Sequence, residues 1–600
     1  METKGLIYTN DNCVSCYKCV RVCTSPGASY LLAREGVSSV MINPNRCVTC
    51  GACFALCDHH AREYRDDTDE FLRDLREGKP VSVLLAPSFR ASYPKEYGQL
   101  LGRLKALGVR RMINVSFGAD ICTWAYLKYM EQNGLRGAIS TPCPVAVSYV
   151  EHYLPELIPR LMPVYSPMVC AAVYCREELG ITDRFAFIGP CIGKELETDT
   201  YFPGSPVHYN VTFLKLMEAL RDLHTEAEDA SDEIEYGIGS FYPAPGGLAD
   251  NIRWFLGDDT QVRVVSGKTY LYGWLRKNGE NLLRQETPFE LIDALNCQNG
   301  CIEGTAGEEG YYDEDTALYS IGEIRAESKS SRENSPWNGS LTPAERLEML
   351  NRQFSCLSLS HYLRTFTDRS EGCGLKIPTP EEEDRIFREM HKLTEKSRTI
   401  NCSTCGYNTC RDLMIAIYNG FNDKQSCIHF EKEEALRIER LFSLDPVAQV
   451  MNRTALESRK ISLKYCRSSV SVVMADINGL KEANDRKGHD AGDLLIATVA
   501  ACLSEEFGQE NVFRIGGDEF IAILLDHTEE ECAGRIRKAK EAMAEMHVSA
   551  AIGSAFRPVF DCPMEDLQKL ADQRMYEEKK QYYRETGKTR RALSDMKPGE

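Results

Sequence analysis

Arg514-Ile515-Gly516-Gly517-Asp518-Glu519-Phe520 is the stretch on which the reading of the C-terminal fold turns. It follows the apolar start of one strand and precedes another, Ile521–Leu525. Two glycines between apolar runs predict a tight hairpin across Val512–Leu525. They let a phosphate approach the backbone closely and put Asp518 and Glu519 at the tip. Upstream, Val470–Ile477 reads as a strand that carries Asp476 near its end. If the two strands are neighbours, these carboxylates converge and can hold Mg²⁺ against a triphosphate. An acidic hairpin tip is more often only a solvated turn, so the residues around it must decide.

Those residues are Asp476-Ile477-Asn478-Gly479-Leu480-Lys481-Glu482-Ala483-Asn484-Asp485, then Gly488-His489-Asp490-Ala491-Gly492-Asp493. In order and spacing they, with the hairpin, resemble the GGDEF family of diguanylate cyclases. The resemblance implies a cyclase-palm-like domain, assigned to residues 442–595. It implies that Asp476, the Ile477 carbonyl, Asp518 and Glu519 surround Mg²⁺, with Asp518 as general base and Asp518 and Glu519 as the catalytic pair. Asn484 and Asp493 match guanine-binding positions, His489 lies nearby, and Lys579 matches a phosphate-contacting lysine. The implied reaction condenses two GTP to cyclic di-GMP and pyrophosphate. Each domain would hold one GTP, so a homodimer is expected. Two departures stand out. Asp445-Pro446-Val447-Ala448-Gln449-Val450-Met451-Asn452-Arg453 keeps only the ends of the family's opening motif. The family's inhibitory Arg-x-x-Asp falls on Phe507 and Glu510, so product inhibition there is not expected.

The 600 residues are 43% hydrophobic and 27% charged, enough apolar content for several cores. A formal charge of −18 argues against a phosphate-backbone binder such as a DNA protein. The start, METKGLIYTN, lacks a basic region followed by an apolar core, and no apolar run reaches the ~18–20 residues of a membrane span. A cytoplasmic location follows, with neither nucleic acid nor membrane as partner. In that compartment 25 cysteines point to metal rather than disulfides.

Cys13, Cys16, Cys19 and Cys23 form C-x2-C-x2-C-x3-C, and Cys47, Cys50, Cys53 and Cys57 repeat it. Three close thiolates supply three corners of a cubane, and the fourth Cys of each run ligates the other cluster. One [4Fe–4S] set is therefore Cys13, Cys16, Cys19 and Cys57; the second is Cys47, Cys50, Cys53 and Cys23. Residues 1–62 resemble a two-cluster bacterial ferredoxin, without the usual Pro after each fourth Cys. Zinc is disfavoured because its motifs use pairs of cysteines rather than runs of four.

From about residue 80 the texture changes. Val81–Pro87 reads as a buried strand, and alternating strands and helices suggest an α/β domain. Its motifs are Thr141-Pro142-Cys143-Pro144, Gly189-Pro190-Cys191-Ile192-Gly193-Lys194, Cys297-Gln298-Asn299-Gly300-Cys301, Tyr153-Leu154-Pro155-Glu156-Leu157 and Ser166-Pro167-Met168. They resemble the catalytic domain of iron-only hydrogenases, assigned to residues 80–365. The resemblance implies that Cys143, Cys191, Cys297 and Cys301 hold an H-cluster-like [4Fe–4S] cubane. It also implies that Cys301 bridges to a di-iron unit and that Lys194 contacts a cyanide ligand of that unit. Three departures matter. Pro142 stands where active members carry a proton-relaying Cys, Gly189 replaces a Met, and the Gly-rich stretch is reduced to Gly304-Thr305-Ala306. Fast hydrogen turnover is not expected, and the di-iron subunit stays an open question. Cys122, Cys170, Cys175, Cys356 and Cys373 read as packed thiols.

Glu327–Leu341 is polar and reads as a loop or linker. Thr342–Leu350 and Pro380–Arg398 read as helices. Cys402, Cys405 and Cys410, with Cys427 beyond a helix, again fit a [4Fe–4S] cubane, and this stretch resembles the small four-Cys iron–sulfur domain found beside hydrogenase-like modules. A structural zinc is the competing reading. Ile428–Leu441 reads as a connecting helix, so residues 380–441 are taken as this helical domain plus a signalling helix.

The chain is thus expected to be multidomain, α/β and α+β: a redox- or gas-sensing diguanylate cyclase under iron–sulfur control. A redox partner protein is a further candidate. Two rivals remain: a hydrogenase or electron-transfer enzyme with an appended GGDEF domain, and a nonenzymatic GTP-binding redox receptor. Pro142 counts against the first and the Asp518-Glu519 pair against the second.

Overall fold

The structure is a computed structural model that describes residues 5–34, 37–134, 136–228, 234–307, 314–330, 332–463 and 468–586. The end of the expected cyclase segment, 587–595, lies outside the described residues, as do residues 1–4 of the ferredoxin-type segment and Ser331 in the expected linker. The chain forms two compact units, Met1–Phe430 and Glu431–Glu600, and passes between them within the helix Ile428–Ser443. Among the described residues no helix is long and apolar enough to cross a membrane.

The second unit is built on an antiparallel sheet in the order Val512–Gly516, Glu519–Leu525, Val470–Ile477, Ala550–Arg557. Val470–Ile477 reads as an unbroken apolar run because it is central and covered on both faces. Side chains alternate along a strand. Val473, Ala475 and Ile477 join the core under the helices His489–Phe507 and Glu529–Glu545. Val470, Val472 and Met474 join the opposite core under Arg453–Leu463 and Met564–Glu585. A capping box at Thr528 and Glu531 fixes where Glu529–Glu545 begins, a contribution of about 1 kcal/mol.

The first unit starts with two antiparallel pairs, Ile7–Thr9 with Arg62–Tyr64 and Ser29–Arg34 with Val37–Ile42. Short helices, Lys18–Val22 and Ala52–Ala55, lie within the two cysteine runs. The larger α/β part holds two parallel sheets. One runs Met112–Asn114, Val81–Leu85, Arg184–Gly189, Val207–Thr212; the other runs Val262–Ser266, Leu291–Leu295, Ala138–Ile139. Buried Phe89, Phe185, Phe213 and Tyr126 fill the main core.

Three expectations need correction. Of the two readings of Glu327–Leu341 the loop stands, its described residues after Glu327 forming no helix or strand, but the linker does not: Trp337 is buried, packs edge-on against Phe255 with centroids 5.7 Å apart, and occupies the space beside Gly237 where a Cβ would stand. One large aromatic ring outweighs the polar composition around it. The helix expected over Pro380–Arg398 is two, Pro380–Glu389 and Glu395–Arg398, because the chain turns through a left-handed His391 and a second cap forms at Thr394. Cys356 is exposed, whereas Cys122, Cys170, Cys175 and Cys373 are buried.

Candidate active site and metal centres

In the second unit the expected carboxylates meet. Asp476 lies directly opposite Glu519 in the antiparallel register, and the Ile477 amide donates to the Asp518 carbonyl at 3.0 Å. The hairpin turn is Gly517-Asp518, and Gly517 adopts a left-handed φ of 56°. The Arg514 guanidinium braces it, donating to the Gly517 carbonyl at 2.8 Å and pairing with Asp445 at 2.9 Å. Asp445 in turn accepts from the Val447 and Ala448 amides. Asn452 donates from its own amide and side chain to the Ser443 and Phe442 carbonyls. The ends of the opening motif, Asp445 and Asn452, make these side-chain bonds, while Ala448 and Val450 in its middle are buried in the core and the Met451 backbone pairs with Val512 and Arg514.

Asp476 is nearly buried, and burial pushes its carboxyl up to about 6; Asp518 and Glu519 add to the rise, while the contacting Lys579 ammonium opposes it. Glu519 is raised by burial and by the negative charge of Asp518 and Asp572. Among the described residues no three His, Cys, Asp or Glu side chains close around a point as a bare ion needs; Asp476 is turned to Lys579 instead. The donors still suit Mg²⁺, a hard cation that takes carboxylate and phosphate oxygens and keeps several waters.

Asn484 and Asp493 come from neighbouring helices, Leu480–Lys487 and His489–Phe507, joined at Gly488. The Asn484 amide presses on Gly492, where any Cβ would stand 1.9 Å from its oxygen. His489 opens the second helix and is exposed, as is Asp493. Phe507 is buried in the core and not available to a ligand.

In the first unit the described cysteines are all free. Cys23, Cys47, Cys50 and Cys53 are neighbours: burial raises each thiol, Cys50 adds to the rise at Cys23, Cys47 and Cys53, and Cys143 adds to the rise at Cys50. Cys19 is raised by burial and by Cys13 and Cys16, while Cys16 and Cys57 flank Lys18. The sulfurs accept from polar hydrogens: Val40 N to Cys13 at 3.4 Å, Ala61 N to Cys57 at 3.3 Å, Thr49 N to Cys47 at 3.4 Å and Arg62 Nη2 to Cys19 at 3.0 Å. Ser15, Tyr17, Thr49 and Gly51 all take left-handed φ, which winds the two loops tightly. Buried thiols pushed up this far stay protonated unless a metal replaces the proton, and the donor set fits a thiolate-held cluster.

Cys143, Cys191, Cys297 and Cys301 also come together. Burial raises Cys191, pushed to about 12, and Cys297; Cys143 and Cys301 act on both. Cys191 and Cys297 each follow a parallel strand by two residues, and Cys143 follows the third, so three loops meet at carboxyl ends of strands, where α/β sheets bind ligands. Beside them is a mostly apolar cavity of about 80 Å³, lined among others by Pro142, Met168, Phe187, Lys194, Tyr242 and Cys301. Lys194 donates to the Pro142 carbonyl at 3.2 Å and pairs with Glu197 at 2.6 Å. Glu197 also meets Arg364 and the Ser166 hydroxyl. Besides the cysteines, the titratable groups on this wall are Lys194, held by Glu197, and Tyr242, bonded to Thr123. Cys402, Cys405, Cys410 and Cys427 line one small pocket, with Cys410 at the start of the helix Cys410–Tyr418 behind a capping box at Thr409.

Residues 79–256 match the family model of the iron-only hydrogenase large subunit, C-terminal domain, and residues 442–584 match that of the diguanylate cyclase GGDEF domain. The chain joins a hydrogenase-type domain to a GGDEF domain. It is similar to iron hydrogenase 1 of Clostridium pasteurianum, 23% identical over 398 residues, which is 54% of this chain and 68% of that protein. The probable diguanylate cyclase DgcJ of Escherichia coli (strain K12) is 31% identical over 125 residues, 20% of this chain and 25% of that one. The chain therefore spans about a quarter of that cyclase relative. Among solved structures, [FeFe]-hydrogenase HydA1 from Chlamydomonas reinhardtii is 15% identical with a TM-score of 0.36, covering 51% of this chain and all of that one. The coiled coil and GGDEF domain of DgcB from Caulobacter crescentus is 18% identical with a TM-score of 0.23, covering 26% and 89%.

Cys143 and Cys191 fall inside the stretch that matches the hydrogenase-type family model; Cys297 and Cys301 lie beyond it, and Cys301 lines the same cavity as Cys191 and Lys194. In the GGDEF domain, sequence reasoning missed Asp572 and Arg514. Asp572 sits seven residues before Lys579, two helical turns along the same face, which is a legible signal. Arg514 had none, because its partner Asp445 is 69 residues away. Glu197, three residues after Lys194, was legible as a helical-spaced partner.

Proposed function

We propose that the protein is a diguanylate cyclase whose rate is set by iron–sulfur centres in its first unit. The observation that carries the catalytic half is the pairing of Asp476 with Glu519, beside Asp518 and Lys579. Asp518 takes the proton of a GTP 3′-hydroxyl, whose oxygen attacks the α-phosphorus of a second GTP as pyrophosphate leaves. A second such step closes the ring. Bound Mg²⁺ would lower the hydroxyl pKa and stabilise charge on the leaving group. Asp476, Glu519 and the Ile477 carbonyl would hold it, and Lys579, released from Asp476, would turn to a phosphate. Asp493 would accept from guanine N–H groups, and the Asn484 amide would donate to or accept from the guanine edge. The two GTP molecules come from two copies of the domain, so the active form is a homodimer.

The regulatory half rests on the four thiol sets of the first unit. Redox state, hydrogen or a related gas would be read there and passed through the helix Ile428–Ser443. Pro142 brings no proton to the cavity beside Cys301, so hydrogen turnover is not this domain's task. The test is anaerobic purification with iron counting, followed by GTP turnover in oxidised and reduced protein with the product identified by mass. Absence of cyclic di-GMP under both conditions would overturn the reading.

A further inference from the structure

The Cys402–Cys427 segment is docked on the ferredoxin-type module. The Leu31 amide donates to the Phe421 carbonyl at 2.8 Å, Arg21 to the Ser403 carbonyl at 2.6 Å, and the Ser426 hydroxyl to that of Tyr17 at 2.9 Å. The Phe421 ring lies 4.6 Å from the Arg46 guanidinium and fills the space that a Cβ at Gly27 would need. Gly406 has a left-handed φ of 87°, and a Cβ there would stand 2.9 Å from the Tyr17 carbonyl oxygen. Both faces therefore fit at a glycine, which is a built interface rather than a chance approach.

Within that interface is a cleft of about 250 Å³. Cys23 lines it from the ferredoxin-type side, and Gly406, Tyr407 and Asn408 from the other. Tyr407 is two residues from Cys405, and its hydroxyl interacts with both Cys405 and Cys23 while bonding Asn422. The thiol set to which Cys23 belongs also reaches the opposite way. Cys50 interacts with Cys143, the Cys50 carbonyl accepts from Thr305 at 3.1 Å, and Gly51 presses on Thr305 and Ile192. The set Cys23, Cys47, Cys50 and Cys53 thus has the hydrogenase-type thiols on its Cys50 side and the Cys402–Cys427 thiols on its Cys23 side.

We infer that this middle set is a redox branch point, and that the face made by Tyr17, Arg21 and Phe421 is the route by which single electrons reach the Cys402–Cys427 set, with Tyr407 as the positioning residue. The inference rests on the reading of both sets as iron–sulfur sites. A one-electron reductant loses one electron to the middle set; the middle set is reoxidised as the Cys402–Cys427 set is reduced by one. No proton is needed. Cys402 is exposed, so direct reduction from solvent is the competing route.

The test uses the full chain, prepared anaerobically, reduced with dithionite and read by low-temperature electron paramagnetic resonance with iron counting. With both sets reduced, their signals are expected to be split or broadened by spin–spin interaction. Arg21→Ala with Phe421→Ala is expected to retain the iron and lose the splitting. Unsplit signals in the wild type, zinc at the Cys402–Cys427 set, or splitting that survives the double substitution would each overturn the inference. If the double variant fails to load iron, the wild-type spectrum alone decides. GTP turnover is not read, so a negative result here is distinct from failure of redox control over the cyclase.

Discussion

Asp476 and Glu519 face each other across two antiparallel strands, although 43 residues separate them in the chain. Neither is on a shared loop or helix with the other, so the acidic site exists only if Val470–Ile477 and Glu519–Leu525 hold this register. A slip of one residue would turn Asp476 to the opposite face of the sheet.

Asp518→Ala should abolish cyclic di-GMP formation, at least ~100-fold if Asp518 is the general base. The fold should survive, because what Asp518 gives the sheet is its carbonyl, which the substitution keeps. Product assay together with a thermal melt checks both parts. Turnover at the wild-type rate would remove the catalytic assignment.

Turnover should rise with pH through about 6, where burial places the Asp476 carboxyl. A carboxyl raised in the folded state keeps its proton there when the unfolded chain has lost it. Its contribution to stability therefore falls as pH rises from the usual carboxylate range through about 6. Metal binding needs the ionised form, so apparent Mg²⁺ affinity should weaken below that pH. Asp476→Asn should flatten the pH dependence of stability. Rates and Mg²⁺ titrations that stay level from about pH 5 to 8 would contradict this.

Cyclic di-GMP should inhibit little through the family's inhibitory position. Phe507 is a core residue, packed on the strands beneath the helix His489–Phe507. Phe507→Ala is expected to cost about 3–5 kcal/mol of stability and leave product sensitivity unchanged. Initial rates with added product decide it; strong noncompetitive inhibition that responds to Glu510→Ala would be the contrary result.

Hydrogen evolution should be negligible even after anaerobic reconstitution with a di-iron cofactor. The cavity beside Cys191 and Cys301 presents the Pro142 ring, while Lys194 is held by Glu197 and the Pro142 carbonyl. Pro142→Cys restores a titratable group at the position that lacks one, so any rise in hydrogen output should appear in that variant first. Gas chromatography with a reduced viologen donor measures it, and wild-type output equal to an authentic hydrogenase would refute the sensor reading.

Cyclase rate should differ between oxidised and reduced protein, and Cys405→Ser and Cys427→Ser should remove the difference. Allosteric coupling of ~1–3 kcal/mol is enough for a several-fold change. Cys427 immediately precedes the helix Ile428–Ser443, so a change at that thiol is carried into it directly. Equal rates in both states of the wild type would defeat the sensor reading, while a response that outlives both substitutions would remove only this route.

The chemistry of this protein was legible wherever it is local. Cysteines spaced by two residues must wind a tight loop, and two glycines before Asp518-Glu519 must turn a hairpin, whatever the rest of the chain does. The order of motifs from Asp476 to Lys579 identified the C-terminal domain for the same reason. What the linear chain could not say is which distant surfaces meet, because apolar periodicity marks a face for burial without naming its partner. Only the tertiary structure brings Lys579 to Asp476, Asp445 to Arg514, and Asp572 toward Glu519. It alone turns the polar stretch around Trp337 into part of a core, and lays Phe421 on Gly27 so that Tyr407 stands beside Cys23. Each of those contacts depends on shape and burial between segments far apart in sequence, and single-residue fits such as Gly27 against Phe421 become visible only when both sides are in place.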